Sequence, residues 1–354
     1  MKKYENEPEF VRSLLKKAEE QYDGIEGFAL VRRLPGGERN DVFALEDRRG
    51  KKLILRILHH DFDLRGLEYI NRWSAYCADH VPVINTPLCT KDGRSSAGIG
   101  PFTVCFLPFV EGGHADRNDA VIRDEMARYH AQIHRVSLSY PDRKPRPDRA
   151  PLGFLDLDEN FMFNWEQVRK MLENGGRSMF DDPRYQTEEM QKYIEGIYDR
   201  RGMILGEKDY FQRMFADLRK KYDSYAAGPI HGDMYGANVL AQDGHIRGII
   251  DWDESNFELH VYELARTMWE FSKDGEGTSI LSERATRYLS VYLDSEGTSK
   301  EGEWRYLIPL IRAVKFLDII FYMQNSMIGD VWSPAYGYES AVTLENLADF
   351  ALFE

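Results

Sequence analysis

Cysteine is scarce in this sequence: Cys77, Cys89 and Cys105 are 3 residues in 354, and no two of them form a CxxC pair. Such spacing fits neither a disulfide framework nor a cysteine-based zinc site, and a reducing compartment is the simplest reading. Positive charge is also short, with 46 Lys and Arg against 59 Asp and Glu for a formal net charge of −13. A chain so acidic has no field to attract phosphate backbones or anionic lipid, so nucleic acid is not an expected partner. The 6 Trp and 20 Tyr lack the interleaved basic residues of a base-stacking platform. No stretch approaches the roughly 18 apolar residues of a membrane span. The opening segment MKKYENEPEF lacks the apolar core of a signal peptide. A cytoplasmic protein without membrane contact is expected. Internal repeats and low-complexity tracts are absent.

What is present divides the chain near residue 111. The length, at about 150 residues per domain, predicts two domains or one two-lobed unit. Before the division, GFALVRRL (27 to 34), DVFALE (41 to 46) and KKLILRIL (51 to 58) have strand patterns separated by the turns PGGERN and DRRG. A helical segment opens the chain at about 8 to 21, and Leu64, Leu67, Ile70 and Trp73 mark another over 63 to 78. The apolar run FTVCFLPFV (102 to 110) then gives way to EGGHADRND, which reads as a hinge or linker. Beyond it the pattern turns helical, beginning with DAVIRDEMARYHAQIHRV (119 to 136). A Pro-rich loop covers 139 to 152 and polar helices fill 156 to 225. Further helices are predicted near 258 to 272, 278 to 295, 301 to 326 and 338 to 352.

The densest chemistry lies in GPIHGDMYGANVLAQDGHIRGIIDWDES, residues 228 to 255. His231, Asp233, Asn238 and Asp251 fall within this one segment. The order strand (NVLA), turn (QDGH), strand (IRGII) predicts a β-hairpin that folds Asp251 back beside Asn238. An amide and carboxylates converging there are hard oxygen ligands suited to magnesium, and a separate carboxylate can accept a proton from an attacking hydroxyl. Those are the parts of metal-assisted phosphoryl transfer. The alternative is a polar turn whose acids cap and solvate a hairpin.

Through HGDMYGAN and IIDWDES the sequence resembles the aminoglycoside phosphotransferase and choline kinase-like family, whose fold is similar to that of protein kinases. The resemblance implies an α+β, two-lobed, protein kinase-like fold. It would pair an N-terminal nucleotide-binding lobe (1 to 110), an antiparallel sheet with a helix, with a mainly helical C-terminal lobe (111 to 354) that holds the catalytic loop and substrate pocket. It implies ATP and magnesium as cofactors and a small-molecule hydroxyl as acceptor. Asp233 would be the catalytic base, His231 would brace the loop from behind, and Asn238 and Asp251 would hold magnesium. Gly36 and Gly37 in PGGERNDVF would let a hairpin approach the nucleotide phosphates, although GG between strands alone reads as a turn. Arg56 occupies the position where the family usually has a phosphate-pairing Lys, a change that alters donor geometry. Glu68 matches the acid that orients that basic residue, and a solvated helix face is its alternative. Backbone groups around Phe109 and Val110 would bind the adenine edge. His130 and His134 are read as packing or hydrogen-bonding residues, Glu263 as structural, and His59 and His60 as surface or loop residues.

The acceptor is less legible than the reaction. Asp251, Asp253, Glu254, Glu258 and Glu263 form an acidic stretch without Lys or Arg, which would attract a cationic aminoglycoside or amino alcohol, or else serve the metal. Homoserine, sugars and protein Ser/Thr are further acceptors in the family. A non-catalytic nucleotide-binding pseudokinase and a metal-dependent hydrolase stay open at this point. Arg56 favours the pseudokinase, and the intact Asp233, Asn238 and Asp251 oppose it.

Overall fold

The structure is a computed structural model that describes residues 7–35, 40–58, 64–152, 164–173, 180–327 and 329–352. Gly36, Gly37, His59 and His60 lie outside the described residues. In chain order the first elements are α1 (Glu7–Ala18), β1 (Ala29–Arg33), β2 (Asn40–Glu46), β3 (Lys52–Leu58), α2 (Leu64–Ala78), β4 (Ala97–Ile99), β5 (Phe102–Pro108) and β6 (Gly113–His114). There follow α3 (Ala120–Ser139), α4 (Trp165–Glu173), α5 (Glu188–Asp199), α6 (Arg201–Lys221), β7 (Ala227–Ile230), β8 (Val239–Gln242), β9 (His245–Ile249) and β10 (Asn256–Leu259). The chain then runs through α7 (His260–Ser272), α8 (Ser282–Asp294), α9 (Glu301–Trp304), α10 (Leu307–Met327) and α11 (Ser333–Asn346).

Two compact units result. One comprises Met1–Ala115, Arg146–Asp148 and Ala237–Glu254, and the other Asp116–Pro145, Arg149–Gly236 and Ser255–Glu354. The boundary near 111 in the sequence thus becomes 115 in the structure. The hairpin carrying Asn238 and Asp251, expected with the second lobe, belongs to the first unit. Its hydrogen bonds explain this: β6 pairs with β8, and Ile249 donates its amide to the Val83 carbonyl at 2.7 Å.

The first unit is built on an antiparallel sheet in the order β1-β2-β3-β5-β4. Alternation places Phe43, Leu45, Leu53, Leu55, Ile57, Val104 and Phe106 in a core with Val11, Leu14 and Leu15 of α1. Arg56 is flanked in register by Val42 and Cys105, so the pleat turns all three to the other face. On α2, Leu67, Ile70 and Trp73 are buried as their spacing predicts, while Leu64 is exposed.

The second unit is mainly helical. Its one ribbon among the described residues pairs β7 with β10, from Asn256↔Ile230 to Leu259↔Ala227. That strand occupies residues expected to begin a helix, and α7 starts only at His260. Almost every side chain of α7 is buried against α8, α10 and α3. The helix expected from 338 begins instead at Ser333, because Pro334 in the first turn lacks only an amide that would be unsatisfied there anyway.

Candidate active site

In the first unit, the β8–β9 hairpin is closed by Asp243 and Gly244, both at positive φ (55° and 74°). Positive φ at both central residues is what a type I′ turn demands and what Asp-Gly supplies. Val239 lies opposite Ile249, and Ile250 donates its amide to the Asn238 carbonyl at 2.9 Å. Asn238 and Asp251 therefore sit at the same end of the hairpin. Asp251 is itself left-handed, at φ 61°, a conformation that costs about 1–3 kcal/mol in a non-glycine residue and tends to mark functional sites. Its carboxylate is 51% exposed and stands 3.8 Å from Arg56.

Arg56 has a closer partner that sequence reasoning missed. Its Nη2 donates to Asp253 Oδ2 at 2.5 Å, and Asn40 Nδ2 donates to the same oxygen at 3.1 Å. Arg146 fixes the backbone there, donating from Nη1 to the Asp253 carbonyl at 2.6 Å. Burial works against the guanidinium charge, yet Asp253 and Asp251 more than offset it and hold Arg56 above its ordinary pKa. Glu68, expected to orient Arg56, is exposed on α2, and Asp253 stands in that role by geometry. Phe109 and Val110 are half-buried. Val110 packs so closely on Gly248 that a Cβ added there would meet Val110 Cγ1 at 2.8 Å, and Lys52 Nζ lies 5.3 Å from the Phe109 ring centre.

In the second unit, the loop His231–Gly236 is held by one face of α7. Glu263 Oε1 accepts the Gly232 amide at 2.5 Å, and Arg266 donates to the Gly232 carbonyl and, at 3.3 Å, to Asp233 Oδ1. Glu270 Oε1 accepts the Gly236 amide at 3.5 Å. Glu263, Arg266 and Glu270 are spaced i, i+3, i+7, one stripe of a helix, and this spacing was the available sequence signal for the last two. Gly232 takes φ 86°, open to glycine without strain. His231 is fully buried and accepts the Asp233 amide on Nδ1 at 3.2 Å, so it shapes the loop from inside. Asp233 is half-buried.

The acidic stretch of residues 251 to 263 is not the exposed rim that its composition predicts. Glu258 and Glu263 are buried and Asp253 is bound to Arg56, which leaves Asp251 exposed and Glu254 partly so.

The sequence model of the phosphotransferase enzyme family (APH) matches residues 30–300, and the chain belongs to that family. Within curated proteins it is similar to a homoserine kinase from Janthinobacterium sp. (strain Marseille), 27% identical over 96 residues, covering 27% of this chain and 30% of that protein. The match thus spans under a third of that relative's length. Solved structures extend the likeness over the whole fold. An amicoumacin kinase in complex with AMP-PNP and Ca2+ superposes with a TM-score of 0.61 at 14% identity, covering 97% of this chain and 94% of that one. A microcompartment-associated aminopropanol kinase gives 0.58 at 17% identity, covering 94% and 95%. The protein kinase-like α+β fold, with a sheet-bearing N-terminal part and a helical C-terminal part, follows from the elements and from these neighbours.

Proposed function

We propose that this chain is an ATP-dependent phosphotransferase that moves the γ-phosphoryl group to a hydroxyl of a small molecule. The observation that carries the reading is the hairpin ladder, which brings Asn238 beside a left-handed, exposed Asp251 next to a charged Arg56. An amide and a carboxylate make a hard-oxygen donor set that fits magnesium. Asn238 and Asp251 would hold that ion, which when bound neutralises phosphate charge. Arg56, oriented by Asp253, would contact phosphate oxygens, and backbone groups at Phe109 and Val110 would take the adenine edge. Asp233 would accept the proton of the acceptor hydroxyl and align it. His231 and Glu263 are positioning residues, holding the loop on which Asp233 stands. Catalysis would come from positioning and charge stabilisation rather than covalent chemistry.

Homoserine and aminopropanol kinases are among the similar proteins, so amino alcohols and hydroxy amino acids lead the acceptor classes. A panel of these with aminoglycosides, sugars and a protein substrate, assayed for ADP release with Asp233→Asn as control, tests the reading. One acceptor should stimulate ATP consumption with magnesium present, and Asp233→Asn should lower kcat on the order of 10²–10⁴-fold. ATP binding with no turnover on any acceptor would point to the pseudokinase instead.

A further inference from the structure

His130 and His134 on α3 and Glu263 on α7 form a cluster of wholly buried side chains in the second unit. The Nε2 atoms of the two histidines are 3.1 Å apart, and Glu263 Oε2 lies 3.0 Å from His134 Nε2 and 3.7 Å from His130 Nε2. A tetrahedral ion with bonds of about 2.0–2.1 Å sets its ligand atoms roughly 3.3 Å apart, so this triangle has the size of one tetrahedral face. The ring directions agree. The imidazole centroids are only 4.3 Å apart, whereas a head-on N–H···N bond would separate them by two further ring radii. The rings meet edge to face at 65°, so the two nitrogens approach obliquely rather than head-on.

The outer hydrogen bonds can free a lone pair for a cation. The Tyr292 hydroxyl accepts the Thr298 amide at 3.1 Å and has Thr298 Oγ1 at 3.2 Å to receive its own proton. It is then suited to accept from His134 Nδ1, 2.7 Å away. That tautomer turns the Nε2 lone pair toward both His130 Nε2 at 3.1 Å and Glu263 Oε2 at 3.0 Å. Each of the three side chains also has an outer partner of the kind that orients metal ligands: Tyr292 for His134, Tyr288 for His130 at 3.1 Å, and the Gly232 amide for Glu263. The H-x3-H spacing on α3 puts both imidazoles on one helix face without any cysteine.

We propose that His130, His134 and Glu263 bind one divalent transition metal ion of the zinc class, with a buried water as fourth ligand. Nitrogen with a single carboxylate is a donor set for zinc rather than magnesium, and the site is separate from Asn238 and Asp251. Its role is structural, because Glu263 also carries the Gly232 amide and so ties the ion to the loop bearing Asp233.

The test uses the full chain produced in zinc-replete and zinc-depleted medium. Elemental analysis should find about one zinc per replete chain, bound by nitrogen and oxygen without sulfur in the X-ray absorption spectrum. Zinc added to the depleted chain should raise Tm by several degrees. His130→Phe, which keeps the ring and the His134–Glu263 contact, should lose the metal. Tyr292→Phe should weaken binding roughly 10- to 100-fold. A depleted wild type that takes up no zinc and keeps the same Tm would overturn the proposal and leave a plain hydrogen-bond network. Undiminished zinc in His130→Phe would overturn it as well, by placing the ion elsewhere. Should that variant fail to fold, uptake and Tm of the depleted wild type decide the matter.

Discussion

Charge is handled in opposite ways around Arg56 and around Glu263. On the sheet unit, Arg56 stays charged despite burial because Asp253 and Asp251 face it, and Asp251 remains half in solvent. Under the loop His231–Gly236, burial wins: His134 is pushed down to about 3, and His130 and His260 well below their ordinary range. Burial alone does not set protonation. The balance of burial against opposing charge does: two carboxylates face Arg56, whereas Glu263 alone faces two deeply buried imidazoles.

The contrast can be broken first at its charged end. Asp251→Asn removes the exposed carboxylate, and kcat should fall on the order of 10²-fold while more magnesium is needed for half-maximal rate. An unchanged magnesium requirement would remove Asp251 from the metal site. A smaller effect separates the two candidate partners of Arg56. Asp253→Asn leaves the guanidinium to swing toward Asp251, and KM for ATP should rise about 10-fold, the loss of one charged hydrogen bond. Glu68→Gln should leave KM unchanged. The reverse ranking would restore Glu68 as the orienting acid.

The neutral end gives the smallest effect, and it appears in stability rather than rate. Burial pushes the Glu258 carboxyl up to about 8 from an ordinary 4.5. Between those values the unfolded chain releases a proton that the native state keeps, so this group's contribution is full below about pH 4.5 and is lost as pH rises toward 8. Wild type should lose on the order of 1–3 kcal/mol across that window relative to Glu258→Gln. The buried histidines slope the other way but are common to both proteins, so the difference isolates Glu258. Parallel pH curves from urea unfolding would show that Glu258 is already ionised.

Local patterns in this chain translated well into structure. The Asp-Gly turn and its flanking strands set the hairpin and hence the neighbourhood of Asn238 and Asp251, because both rest on contacts a few residues apart. The alternation in DVFALE and KKLILRIL likewise gave the sheet core. Long-range choices were hidden. Asp253 reaches Arg56 across 197 positions, and its spacing from Asp251 looked like one more acid in a run. Glu258 and Glu263 counted as surface charge in the sequence, yet β10 and the apolar faces of α7 bury them. Glu68 sits where the family pattern places an orienting acid, but on this helix it faces solvent.

One measurement reaches the central claim most directly: ATP binding and acceptor-dependent turnover determined together for wild type and Asp233→Asn. The variant should bind ATP with magnesium as wild type does and should have lost turnover on the order of 10²–10⁴-fold. Wild-type turnover in Asp233→Asn would contradict that claim.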